Sequence, residues 1–304
     1  MIITGGWPQE NIMLPFTDPG RSYRGIWLTD FDGTIKPEGA NTVCAADKAA
    51  LKRLKQLGWL RVVATGRSLF NFAKAWEPDL ELDALIFSSG AGLCAWTPMG
   101  PGPALNTRLI EPALAKAAIA AARSLGFGFF AYHEPPDNHH FYYERPRNAP
   151  AGFDRRLEIF PVQSFPWPDD YFQSRGYSRL SQIMIMIPAA LFDQAESDFR
   201  RMAPGLSVIR STSPFGDGCL WLEVFGPGTS KGQAASDLAG LVSLTAGEAV
   251  ALGNDYNDID LLAWADCSFV TEDAPAEIKS GHTVMPSAGQ GGLAWALNRV
   301  FGHD

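Results

Sequence analysis

Short apolar runs alternate with stretches of helical spacing in the early part of this chain. The run Gly25-Ile26-Trp27-Leu28-Thr29 has the length and composition of a buried strand. From Ala45 to Leu57, Leu51, Leu54 and Leu57 recur at helical spacing with Lys and Arg between them, and Gly58 ends the helix. Leu60 to Ala64 is predicted as a second strand, Ser68 to Trp76 as a helix and Ala84 to Phe87 as a third strand. Strand, helix, strand, helix, strand predicts an α/β fold with a doubly wound parallel sheet and right-handed crossovers.

The pattern changes in the middle of the chain. Thr97 to Pro103 is rich in Pro and Gly and marks a domain boundary. Beyond it the spacing predicts a helix over Ala113–Leu125, paired strands at Phe127–Tyr132 and His140–Glu144, and a loop-rich stretch to Tyr177. A strand (Leu180–Ile187), a helix (Ala189–Met202) and two strands (Leu206–Arg210, Cys219–Phe225) follow. Strands grouped with strands suggest an inserted α+β domain built on an antiparallel sheet.

Gly226-Pro227-Gly228 marks the return to alternation: helix Ser230–Leu241, strand Ala249–Leu252, helix Tyr256–Ala265, strand Ser268–Val270 and closing helix Gln290–Phe301. The expected organisation is a split core, residues 1–92 and 225–304, around an insert of residues 93–224. Before Gly25 the chain reads as a Gly- and Pro-containing arm.

Composition narrows the function. With 304 residues, 46% of them hydrophobic, the chain has material for two cores. A net charge of -8 gives no basic footprint for nucleic acid or an anionic membrane. A phosphate-bearing ligand would need local cations. The four cysteines, Cys44, Cys94, Cys219 and Cys267, form no CxxC pair and are expected to be reduced thiols in a cytoplasmic protein. Met1 to Phe16 lacks the basic start and apolar block of a secretory signal, and no apolar run reaches membrane-spanning length.

The chemistry gathers at predicted strand ends. Asp30-Phe31-Asp32-Gly33-Thr34 follows the first strand, where an open α/β sheet builds its ligand site. Period two sends both carboxylates the same way, and such a pair needs a cation or a shared proton. Thr65-Gly66-Arg67 follows the second strand, offering a hydroxyl and amides for phosphate oxygens or, alternatively, a plain helix cap. Lys231, opening a helix in Thr229-Ser230-Lys231-Gly232-Gln233, could neutralise a phosphoryl group or simply be a solvated surface lysine. Asn254, Asp255, Asn257 and Asp258, in the loop after Val250-Ala251-Leu252, offer oxygen donors suited to Mg²⁺, and Asn254 or Asp255 could also cap the following helix.

In that order the four segments resemble the motifs of the haloacid dehalogenase (HAD) superfamily of phosphotransferases. The insert between the second and third resembles its type-two (C2) cap, as in the Cof-like and sucrose-phosphatase-like branches, and Ser89-Gly90-Ala91 and Gly228 to Gly232 are similar to Cof-like sequences. The resemblance implies that Asp30 is the nucleophile, forming an aspartyl-phosphate that water hydrolyses, and that Asp32 is the general acid and then base. It implies Mg²⁺ held by the Asp30 carboxylate and the Asp32 carbonyl, phosphate contacts from Thr65, Gly66 and Lys231, and Asn257 on phosphate or orienting its loop. Where the family has Gly-Asp, with that Asp on the metal, this chain has Gly253-Asn254, and the carboxylate comes one residue later. Asn254 through its carbonyl or Asp255 through a loop shift would complete the metal site, with Asp258 either on the metal or holding Lys231.

The function so implied is a Mg²⁺-dependent phosphomonoester hydrolase acting on a small phosphorylated metabolite, a sugar phosphate first among the classes. Glu134, His139, His140, Tyr142, Arg145, Arg175 and Arg179 of the cap are the candidate specificity contacts. A phosphotransferase or mutase with the same chemistry is one alternative. A non-catalytic binding or regulatory protein with a weakened metal site is the other.

Overall fold

A computed structural model of the chain describes residues 22–174 and 179–302. Most of the arm before Gly25 lies outside the described residues, as do Arg175 and Tyr177. The structure divides into two compact units. The first takes in the described residues up to Arg67, Asn71–Asn106 and those from Ser230 onward; the second comprises Ser68–Phe70 and Thr107–Thr229.

Along the chain the elements are β1 (Gly25–Thr29), α1 (Ala45–Gln56), β2 (Trp59–Ala64), α2 (Leu69–Ala75), β3 (Ala84–Phe87), β4 (Gly92–Thr97) and β5 (Gly100–Thr107). The second unit carries α3 (Pro112–Ser124), β6 (Phe129–Tyr132), β7 (Phe141–Glu144), α4 (Ala151–Ile159), β8 (Ser164–Pro166), α5 (Tyr171–Ser174), β9 (Gln182–Pro188), α6 (Phe192–Met202), β10 (Ser207–Thr212) and β11 (Cys219–Phe225). The first unit resumes with α7 (Lys231–Leu241), β12 (Ala249–Gly253), α8 (Ile259–Trp264), β13 (Cys267–Thr271), α9 (Ala276–Lys279), β14 (Thr283–Met285) and α10 (Gly292–Phe301).

The first unit holds an eight-stranded sheet in the order β14-β13-β12-β1-β2-β3-β4-β5. Strands β14 through β3 run parallel, and β4 is antiparallel to β3. β1 is buried along its whole length, which is why it reads as an unbroken apolar run. Its side chains still alternate: Ile26 and Leu28 join a core with Leu60, Val62, Leu238 and Leu261, while Trp27 stacks on Phe301 at 6.4 Å and meets Trp59 edge-on at 6.1 Å. Asp47, fully buried on α1, accepts a hydrogen bond from the Ala294 N–H in the first turn of α10 (2.9 Å), satisfying a donor the helix cannot satisfy itself.

The expected boundary at Thr97–Pro103 is instead a turn and the start of strand β5, so the insert begins at Thr107, later than residue 93, and runs to Thr229, beyond residue 224. The reason is position. β5 ends the sheet order, and an edge strand tolerates Pro because half its N–H groups have no strand to face.

The second unit holds a six-stranded sheet in the order β10-β11-β9-β6-β7-β8, antiparallel except for β7 and β8. Ile183, Ile185 and Ile187 pack with Ile119, Phe192 and Phe199 of α3 and α6. Met184 and Met186, the alternate positions, pack with Phe130 of β6 and Phe153 of α4. The stretch read as loop-rich thus contains α4, β8 and α5. Among the described residues no helix is long and apolar enough to cross a membrane.

Candidate active site

Three adjacent parallel strands, β12, β1 and β2, end beside one another, and the residues that follow them are Asn254, Asp30 and Thr65. β1 is the point from which the strand order runs both ways, the usual place for a ligand in an open sheet. The Asp30 N–H donates to the Leu252 carbonyl (2.9 Å), fixing the carboxylate to the sheet edge with 5% of the residue exposed. Burial pushes the Asp30 carboxyl up to about 7, with Lys231 pulling it down and the Asp258 and Asp32 charges adding to the rise.

Lys231 is fully buried as the first residue of α7, and its Nζ donates to Asp30 Oδ1 and Asp258 Oδ1, both at 2.6 Å, and to Asn257 Oδ1 at 3.4 Å. Burial alone would lower its affinity for a proton, but Asp258 and Asp30 outweigh that and keep the ammonium charged. Two carboxylates on one ammonium leave a negative charge uncompensated. The lysine is positioned by the helix start: Ser230 Oγ accepts from the Gln233 N–H (3.1 Å), and Gly90, at φ +99, lets a turn press against the Ser230 carbonyl, which a Cβ would strike. In the same turn Ser88 and Ser89 adopt left-handed conformations, with φ 48 and 51. Such strain costs about 1–3 kcal/mol per residue and collects at functional sites.

Asp32 is gripped by Arg67, whose Nε donates to Oδ2 (2.6 Å) and Nη2 to Oδ1 (2.7 Å). In sequence Arg67 is only the last residue of its motif, with no role of its own. The available signal was an uncompensated Asp32 and a cation just past the neighbouring strand. Thr65 Oγ1 accepts from the Arg67 N–H (3.1 Å), and a hydroxyl that accepts this bond still has a hydrogen to donate. Gly66 has Asn257 Nδ2 and Ser89 Oγ each 3.6 Å from where a Cβ would stand. Asp30, Asp32, Thr65, Gly66, Lys231 and Asn257 therefore lie in one cluster.

The loop after β12 separates its two candidate metal ligands. The Asn254 amide lies 3.2 Å from Asp30 Oδ2, 3.2 Å from the Asp32 carbonyl oxygen and 3.0 Å from Thr34 Oγ1, which itself donates to Asp30 Oδ2 at 3.2 Å. Gly33, at φ +76, makes room for it, since a Cβ there would run into the amide. Asp255 instead caps the short helical turn Tyr256–Asp258, accepting from the Asp258 N–H with its side chain. Asp258 is fully buried, with Oδ1 on Lys231 and Oδ2 accepting from the Asn254 and Asp255 N–H groups (2.9 and 3.1 Å). Of the two parts left open for Asp258, its geometry matches the holding of Lys231.

The cap candidates are dispersed. Arg145 is forked onto Asp154 (3.0 and 2.8 Å), Arg179 reaches Glu134 at 3.4 Å, and Tyr142 packs into the second unit's core. His139 and His140, with Asp137, bring three ligand atoms within 4.8 Å of one another.

A family model of haloacid dehalogenase-like hydrolases matches residues 27–297. A Haemophilus influenzae protein named provisionally as a phosphatase is 22% identical over 284 residues, covering 92% of this chain and 98% of its own. Among solved structures, a phosphatase of the haloalkanoate superfamily from Bacteroides thetaiotaomicron aligns with TM-score 0.75 at 20% identity, over 97% of this chain and 100% of its own. A subclass IIB sugar phosphatase, BT4131, aligns with TM-score 0.70 at 18% identity, over 91% and 99%. At these identities the structural likenesses establish the fold. With the family match spanning nearly the whole chain and the sheet-edge constellation in place, the chain belongs to the haloacid dehalogenase-like hydrolase family.

Proposed function

We propose that this chain is a divalent-cation-dependent phosphomonoesterase that attacks small phosphorylated metabolites through Asp30, with sugar phosphates as the favoured class. The observation that carries the reading is the division of Asp30: Oδ1 rests on a buried ammonium, while Oδ2 lies 3.2 Å from the Asn254 amide, which stands equally close to the Asp32 carbonyl. Family membership supports phosphoryl chemistry, and the sugar phosphatase among its structural relatives supports the substrate class.

The donor set fits a hard cation. Asp30 Oδ2, the Asp32 carbonyl and the Asn254 amide are all oxygen donors once the amide presents its oxygen, and the amide sits 3.2 Å from each of the other two. Ligands at right angles around Mg²⁺, ~2.0–2.1 Å from it, stand ~2.9 Å apart, and around Ca²⁺ ~3.3–3.7 Å. A cation held there would offset the site's residual negative charge and draw charge from the transferring phosphoryl group.

Lys231, the Thr65 hydroxyl and the Gly66 N–H bind the phosphoryl oxygens, and Asn257 orients beside them. Asp30 Oδ1 attacks phosphorus as the bond to the ester oxygen breaks, and Asp32, entering the step protonated with one oxygen released from Arg67, gives the ester oxygen its proton. Asp32 then takes a proton from water, which attacks the aspartyl-phosphate, releasing inorganic phosphate and restoring the Asp30 carboxylate. Positioning supplies most of the acceleration in such a transfer, and the sheet edge holds each group in place before substrate arrives.

Purified protein with Mg²⁺ is expected to release phosphate from an aryl phosphate, and Asp30→Asn to lower kcat by at least about 10³-fold. Turnover unchanged by that substitution would overturn the assignment. A panel of sugar phosphates, compared by kcat/KM with nucleotides and amino-acid phosphates, tests the substrate class.

A further inference from the structure

The Asn254 amide occupies the junction of the site, and only one of its two orientations satisfies its neighbours. With the NH₂ group turned inward, the two hydrogens of Nδ2 meet three acceptors, Asp30 Oδ2 and the Asp32 carbonyl at 3.2 Å each and Thr34 Oγ1 at 3.0 Å. Turned the other way, Oδ1 would face the same oxygens with nothing but the Thr34 hydroxyl to separate them. An amide has a donor end and an acceptor end at nearly equal reach, and its neighbours decide which end faces them. A carboxylate at this position would have only oxygens to offer and would add a second charge beside Asp30.

We infer that Asn254 is a built-in stand-in for the divalent cation. With its NH₂ inward it ties Asp30 and the Asp32 carbonyl together without any ion; with its carbonyl inward it becomes a neutral ligand of one. This rests on the functional reading above for the identity of the cation site, but it concerns an exchange at this residue and not turnover. A cation entering the site must displace the amide's hydrogen bonds before it gains Oδ1, and it finds one formal charge fewer than a carboxylate would supply. The consequence is weak, readily reversible Mg²⁺ binding and a site that is structurally satisfied without Mg²⁺. Gly33 is part of the device, because a side chain there would exclude the amide. Asp255 cannot substitute while it caps the turn Tyr256–Asp258.

The test is a thermal and binding comparison of the wild type with Asn254→Asp, in chelator and across a titration of Mg²⁺, with Mn²⁺ as a spectroscopic probe. In chelator, Asn254→Asp is expected to melt below the wild type, because a donor to Asp30 becomes a repelling charge. With saturating Mg²⁺ the order is expected to narrow or reverse, and the variant's affinity for either ion to exceed the wild type's by on the order of tenfold or more. Equal melting in chelator together with equal ion affinity would overturn the inference.

Should Asn254→Asp fail to fold without Mg²⁺ yet fold with it, that outcome also supports the exchange. Should it fold in neither, Asn254→Ala decides the matter. Without the amide donors it should melt below the wild type in chelator, and a melting temperature equal to the wild type's would contradict the stand-in role. Phosphate release measured on the same samples separates the exchange from the hydrolase assignment. Ion affinities that follow Asn254 in a protein that releases no phosphate would uphold the exchange and sink that assignment.

Discussion

Arg67 and Asp32 form the pair whose energetics bear most directly on proton transfer. Both oxygens of Asp32 are held by one guanidinium, a geometry that aims the carboxylate and that lysine could not reproduce. If Arg67 works by positioning Asp32, Arg67→Ala should lower kcat by about 10- to 100-fold for alkyl phosphates, whose leaving group needs a proton, and by much less for the chemical step of aryl phosphates. Equal losses on both, or a rise in KM alone, would show that Arg67 acts on the phosphate instead. At this scale the sequence is partly legible. Asp30, Asp32, Thr65 and Lys231 stand out because each follows a strand end or opens a helix. The choice between Asn254 and Asp255 is not legible, since one residue of register decides which side chain faces the sheet edge and which caps the turn. Arg67 is hidden for a different reason: a cation next to a phosphate motif has several uses.

Helix α10 closes the first unit through contacts that local sequence does not announce. Its N-terminal residue is preceded by Gly291, which has no side chain to cap it, and the acceptor comes from Asp47 on α1. Burial pushes the Asp47 carboxyl up, although the hydrogen bonds from Ala294, Cys44 and Leu293 pull it down. A carboxyl whose folded pKa lies above its unfolded value stabilises the fold most below the unfolded value, and that contribution is lost as pH rises through the folded one. The melting temperature of Asp47→Asn, measured against the wild type, is therefore expected to improve steadily as pH is raised through that range. A difference independent of pH, or one of opposite slope, would contradict the assignment. Asp47→Ala, which removes the acceptor altogether, should cost about 1–3 kcal/mol. Elements with an unbroken apolar run, such as β1 and β9, or clear helical spacing, such as α1, are legible in the sequence. β5 is not, because Gly100-Pro101-Gly102-Pro103 has the composition of a linker, and only the sheet order shows that it is an edge strand.

For the whole molecule, the split first unit and the inserted second one follow from a return of α/β alternation after Gly226-Pro227-Gly228, a long-range pattern that local propensity does not obscure. The central claim belongs to this scale: the sheet edge of the first unit carries a carboxylate that becomes phosphorylated. The direct measurement uses Asp32→Asn, which keeps the nucleophile but lacks the base that activates water. Incubated with an aryl phosphate and Mg²⁺, then quenched in acid, it should release about one equivalent of phenol in a fast phase. Its peptide mass spectrum should carry one phosphoryl group, labile to hydroxylamine, on Asp30. A phosphoryl group on another residue, or the same burst from protein that also carries Asp30→Asn, would contradict the claim.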